Sequence, residues 1–151
     1  MLEITNNYRQ ISDKLHTSAQ PTVDEFETIK KAGVEIVINL ARADSPNAIV
    51  NEAQVVQEND LHYIHIPVDF KKPDTADLEL FFNAMDQHND KTTLVHCAMN
   101  WRVSCFVYLY RVIRQDCDDE TAKQDMLAVW QPDDIWQSFI EDCLSQKETL
   151  K

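Results

Sequence analysis

The chain predicts an α/β fold: a central, mostly parallel sheet flanked by helices. Short apolar runs at residues 34–40, 63–68 and 94–96 alternate with stretches whose apolar residues recur at helical spacing. Connections of helical length between such runs are what parallel pairing needs, and they place helices over both faces of the sheet. With 151 residues, 44% of them apolar, the chain can bury one sizeable core and is read as a single domain, 1–151.

Each element has its own signal. Residues 8–18, divided near Asp13-Lys14, read as two short strands joined by a turn. Thr22-Val23-Asp24-Glu25 forms a capping box that opens a helix, and Gly33, the one glycine of the chain, closes it. The run at 34–40 is then a mostly buried strand. Ile49, Val50, Ala53 and Val56 fall on one helical face. The run at 63–68 is a further strand; His62 and His65 point to opposite faces of it and cannot share a metal ion. Leu78, Phe81, Phe82 and Met85 mark a helix, and Leu94-Val95-His96 the next strand. Val103, Phe106, Val107, Tyr110 and Ile113 line the helix after that. Two more helices are expected, the last carrying Ile135, Trp136, Phe139, Ile140 and Cys143, with Trp130 and Trp136 read as packing.

Composition narrows the function. A net charge of −12 excludes nucleic acid or an anionic membrane as the main partner, since both need a basic footprint. No stretch approaches the ~18 apolar residues of a membrane span. The first residues lack a basic and apolar leader, so a cytoplasmic protein is expected. The four cysteines, Cys97, Cys105, Cys117 and Cys143, show no paired metal-ligand spacing and read as free thiols. Neither a metal nor an organic cofactor is expected.

In a parallel sheet, ligands gather beyond the carboxyl ends of the strands. Three loops should meet there: Ala41-Arg42-Ala43-Asp44, Asp69-Phe70-Lys71-Lys72, and the loop that starts at Cys97. The last joins a buried strand to a helix, so its backbone N–H groups face one point with the helix dipole behind them, a ready anion site. Cys97 stands in it as a nucleophile, and Arg102 can fork onto an oxyanion. Ala98, Met99, Asn100 and Trp101 form the wall of the loop, and Arg42, Lys71 and Lys72 a local positive rim. His96 is expected to bond loop backbone, and Cys105 to sit in the core or close enough to Cys97 for a disulfide.

Together these features resemble the cysteine-dependent tyrosine and dual-specificity phosphatase superfamily, whose motif is His-Cys, five residues, Arg and then Ser or Thr. The chain looks more closely like a bacterial phosphatase-like domain of unknown function that also occurs fused to metallo-β-lactamase-like hydrolases. The likeness runs through Ser18-Ala19-Gln20-Pro21-Thr22, Gly33-Val34, Val37-Ile38-Asn39-Leu40, Ile66-Pro67-Val68-Asp69-Phe70 and His96-Cys97-Ala98-Met99-Asn100-Trp101-Arg102-Val103-Ser104. The resemblance implies a dual-specificity-phosphatase-like fold and hydrolysis of a phosphate monoester through a phosphocysteine. Cys97 would be the nucleophile, Arg102 the phosphate clamp, Asp69 the general acid with Asp74 as the alternative, and Ser104 the helper at the phosphoenzyme stage. Phosphotyrosine, phosphoserine, a nucleotide or a lipid all stay open as the phosphorylated substrate.

The spacing departs from the motif. Four residues, not five, separate Cys97 from Arg102, so Val103 occupies the arginine position, while Ser104 keeps its offset. Asn100 stands where the family has a glycine, and Asn tolerates left-handed backbone better than most residues. The four-residue gap is also similar to that of rhodanese-like sulfurtransferases, which would use a Cys97 persulfide. A non-catalytic phosphate-binding module is the remaining expectation.

Overall fold

Phe26, Ile29, Val55 and Val56 cover one face of a five-stranded sheet whose other face carries most of the core. A computed structural model of the protein describes residues 2 and 6–151; the sequence reading of the start of the chain, at Met1 and 3–5, falls outside them. The elements run β1 (Arg9–Ser12), β2 (Leu15–Ser18), α1 (Glu25–Lys31), β3 (Ile36–Asn39), α2 (Glu52–Glu58), β4 (His62–His65), α3 (Thr75–Gln87), β5 (Thr93–His96), α4 (Trp101–Ile113), α5 (Asp119–Leu127), α6 (Asp134–Ser145) and α7 (Lys147–Leu150). The strand order is β1-β2-β5-β3-β4; β1 and β2 form an antiparallel hairpin and every other pairing is parallel.

β5 lies at the centre, with His96 level with Ser18 of β2 and Asn39 of β3. Successive side chains alternate between faces. Leu94 and Val37 therefore join Phe26, Ile29, Val34 and Val56 under α1 and α2. Val95, Ile36 and Ile38 join the larger core with α3, α4 and α6. α4 is buried almost all round, which explains why nearly every position in it is apolar or aromatic.

The capping box at the start of α1 is formed in both directions: Thr22 N–H donates to Glu25 Oε1 at 2.8 Å and Glu25 N–H to Thr22 Oγ1 at 3.3 Å. Gly33 closes that helix at φ 96°, a left-handed value that glycine adopts without strain. Two expectations are corrected. Val50 and Ala53 are exposed, and α2 instead buries Glu52, Val55 and Val56. Three helices rather than two follow α4, and Ile135 is exposed while Trp136, Phe139, Ile140 and Cys143 are buried. Among the described residues no helix is long and apolar enough to cross a membrane.

Candidate active site

The three loops do meet. Beyond the carboxyl ends of β3, β4 and β5 they enclose a cleft of about 680 Å³. Arg42 and Asp44 line it after β3, Asp69, Phe70 and Lys71 after β4, and Cys97, Ala98 and Met99 after β5, with Trp101 and Arg102 from the first turn of α4. Cys97 has no solvent-exposed surface and lies at the floor.

The cysteine loop is held from outside by its carbonyls. His96 O accepts from Leu40 N–H at 2.8 Å, and Ala98 O from Gln20 N–H at 3.2 Å and Asn47 Nδ2 at 3.0 Å. Met99 O accepts from Asn7 Nδ2 at 3.1 Å, and Asn100 O from Ser104 N–H at 3.0 Å. In a trans peptide the next N–H points away from the carbonyl, and no cis bond occurs among the described residues. Ala98 O and Met99 O, turned out to the scaffold, therefore turn the N–H groups of Met99 and Asn100 the other way, and α4, whose ladder begins at Asn100 O, adds the unpaired donors of its first turn. The result is a cradle of donors beside Cys97.

Asn100 makes the turn possible. It stands at φ 69°, ψ 3°, left-handed, at the N-terminal cap of α4. Its Nδ2 donates to Asn7 O at 2.8 Å and Thr17 Oγ1 at 3.2 Å, so it shapes the loop from behind and does not line the cleft. Val103, at the motif's arginine position, is fully buried in the core. Arg102 lines the cleft, with Nη1 donating to Val68 O at 2.9 Å.

Asp69 faces the cleft, half-exposed; its Oδ1 accepts from Lys71 N–H at 2.9 Å and its Oδ2 lies 3.4 Å from Arg42 Nη1. Arg42 also lies 3.4 Å from Asp44, so its charge is shared between two carboxylates. Lys71 reaches the cleft. Lys72 instead borders a neighbouring hollow with Asp74 and Asp77. Asp74 caps α3, accepting from Ala76 N–H at 2.9 Å. Ser104 Oγ donates to Trp101 O at 2.7 Å and accepts from Trp130 Nε1 at 3.0 Å, away from the cleft lining. Cys105 is buried, and burial pushes its thiol up to about 12.

The residue that the sequence reading missed is Glu52. It is 4% exposed, takes Gln20 Nε2 on Oε1 at 2.6 Å, and has His96 Nε2 on Oε2 at 2.7 Å. His96 Nδ1 lies 3.3 Å from Cys97 O, so the carboxylate of α2 braces the loop through the imidazole. Burial alone would raise the Glu52 carboxyl; the hydrogen bonds from His96 and Gln20 and the attraction of His96 outweigh it and hold the carboxyl below its ordinary value. A carboxyl lowered in the folded state adds stability above its ordinary value of 4.5 and loses it as pH falls through the lowered one. Urea melts at pH 7 and at pH 4 and below should therefore show Glu52→Gln losing less stability with acid than the wild type. Glu52→Ala should cost ~3–5 kcal/mol at neutral pH, because it leaves a buried partner uncompensated. An identical acid dependence for Glu52→Gln would remove Glu52 from this role.

Among the described residues no group of His, Cys, Asp and Glu could hold a metal ion. Residues 5–141 match the family described as a DSP-PTPase phosphatase fused to NAD+ kinase. No curated protein matches the chain. A crystal structure of a candidate phosphatase (DUF442) from Shewanella putrefaciens CN-32 is 33% identical, with a TM-score of 0.84 over 94% of this chain and 93% of that one. P. aeruginosa TpbA, in a Cys-to-Ser form in complex with pTyr, is 16% identical with a TM-score of 0.74 over 95% and 90% of the two chains. PTPMT1 in complex with PI(5)P is 13% identical with a TM-score of 0.79 over 95% and 98%. At those last two identities the likeness is one of fold.

Proposed function

The chain belongs to the DSP-PTPase phosphatase family, and from that premise we propose that residues 1–151 act as one domain that hydrolyses a phosphate monoester through a phosphocysteine on Cys97. The thiolate of Cys97 attacks phosphorus and the ester P–O bond breaks. Asp69 gives its proton to the leaving oxygen. Water then attacks phosphorus, the P–S bond breaks, the thiolate returns, and Asp69 recovers a proton. The loop N–H groups hold the non-bridging oxygens. Arg102 spends one donor on Val68 O and keeps others of its five for the anion. Ser104 could assist the second step only by releasing Trp101 O.

One observation carries the reading: the loop carbonyls are bonded outward, which turns donors inward beside Cys97, in a cleft that also contains Asp69 and Arg102. The four-residue gap favours a second reading, sulfur transfer through a Cys97 persulfide. Asp69 weighs against it, because moving sulfur needs no such acid.

Purified protein should hydrolyse an aryl phosphate with competitive inhibition by vanadate, and should not move sulfur from thiosulfate to cyanide at a comparable rate. An intact mass showing one extra sulfur on Cys97, with no vanadate-sensitive turnover, would establish the sulfurtransferase. Phosphate binding with neither activity would establish a binding module. pTyr and PI(5)P, bound by the two remote fold relatives, are the first substrates to compare.

A further inference from the structure

We infer that Phe70 and Trp136 are positioning residues for Asp69: α6 locks the acid-bearing loop in place before substrate arrives. The inference rests on the phosphatase reading above and adds a part of the molecule, α6, that contributes nothing to the cysteine motif.

The segment after β4 is fastened at alternate residues. Ile66 N–H donates to Asn39 O at 2.9 Å and Val68 N–H to Leu40 O at 3.0 Å, extending the sheet past β4. Val68 O accepts from Arg102, and Phe70 O accepts from Trp136 Nε1 at 2.8 Å. The Phe70 ring sits among three indoles, with centroids 5.9 Å from Trp101, 5.7 Å from Trp130 and 6.0 Å from Trp136. The Arg102 guanidinium carbon lies 5.8 Å from the same ring, and Trp101 and Trp130 are stacked at 4.9 Å with their planes 4° apart. Asp69 is the residue between two anchors. Its backbone leaves no slack on the far side either, because Lys72 N–H donates to Asp69 O at 3.1 Å.

Swinging this loop outward would break the Trp136 hydrogen bond. Trp136 has no exposed surface with the loop in place, so the motion would strip its N–H of its partner and uncover its ring at once. It would also pull an aromatic ring from its cage. These contacts thus hold the acid in register with the cleft, and geometry rather than induced closure supplies the proton donor.

The test compares 4-nitrophenyl phosphate, whose leaving group departs unprotonated, with phenyl phosphate, which needs the proton. Trp136→Phe removes the N–H and keeps a ring; Phe70→Leu removes the ring and keeps apolar volume. Trp136→Phe should lower kcat on phenyl phosphate roughly 10–10²-fold with KM unchanged and leave the nitrophenyl ester within about twofold; Phe70→Leu, whose ring lines the cleft beside Arg102, should lose more on phenyl phosphate than on the nitrophenyl ester. In an Asp69→Asn background Trp136→Phe should cause no further loss. Equal losses on both esters in either variant, or in Trp136→Phe a raised KM or a loss that adds to Asp69→Asn, overturn the inference, as does an Asp69→Asn variant with no leaving-group dependence. Hydrogen exchange on the wild type covers the case in which the variants do not fold and the case in which no phosphatase activity is found. The Lys71 and Lys72 amides should be as protected without vanadate as with it, and protection gained on vanadate binding shows a loop that closes.

Discussion

Cys97→Ser should abolish aryl phosphate turnover, a loss of ~10⁴-fold or more, while vanadate and phosphate still bind. The substitution changes one atom at the cleft floor and leaves the cradle intact, since the loop is held by its carbonyls and by Asn100 rather than by the thiol. No other cysteine lines the cleft: Cys117 follows the C-terminal end of α4, a 13-residue helix away from the loop. Cys105 and Cys143 are fully buried and burial pushes both thiols up to about 12, so they stay protonated at neutral pH. Rates on an aryl phosphate, paired with calorimetric titration of phosphate, separate the two halves of the expectation. Turnover that survives at more than a few per cent would show that Cys97 is not the nucleophile.

Asp69→Asn should slow hydrolysis of poor leaving groups by ~10²–10⁴-fold and spare activated aryl esters. The side chain points into the cleft and its turn hydrogen bond from Lys71 can be taken over by the amide oxygen, so folding should be little affected. Asp74→Asn is the control. Asp74 spends its side chain on the Ala76 N–H at the start of α3, a task asparagine performs nearly as well, so both rate and melting temperature should change little. A plot of rate against leaving-group acidity for the two variants decides between them. If the steep dependence appears in Asp74→Asn instead, the proton comes from Asp74.

Much of this site was legible because it depends on local order. A buried strand ending at Cys97, followed by a helix, fixes where the loop N–H groups converge, and apolar periodicity finds both elements. Asn100 could be recognised as a stand-in for glycine from its residue type alone. The face of α2 could not. Periodicity assigns a charged residue to solvent, and Glu52 is buried because His96, 44 residues away, and Gln20, 32 away, supply its hydrogen bonds. Exposed Val50 took its place in the apolar stripe. The same holds for Trp136 and Phe70, which meet across 66 residues: Trp136 reads as packing and Phe70 as one residue of a loop until the fold joins them beside Asp69. Lys72 failed to join Lys71 because the tight turn closed by Lys72 N–H on Asp69 O sends the two side chains to different hollows.

Asn100 performs with a side chain what glycine performs by having none, and that has a thermal consequence. Its amide ties the cysteine loop to Asn7 and to Thr17 of β2, so the disorder a glycine loop would surrender on meeting an anion is surrendered here when the chain folds. Anion binding should then show little entropic loss. The arrangement also makes the edge hairpin of β1 and β2 part of the site's heat tolerance. Should that edge fray on warming, the cradle would slacken with it, and affinity for the anion would decline before the core itself melts.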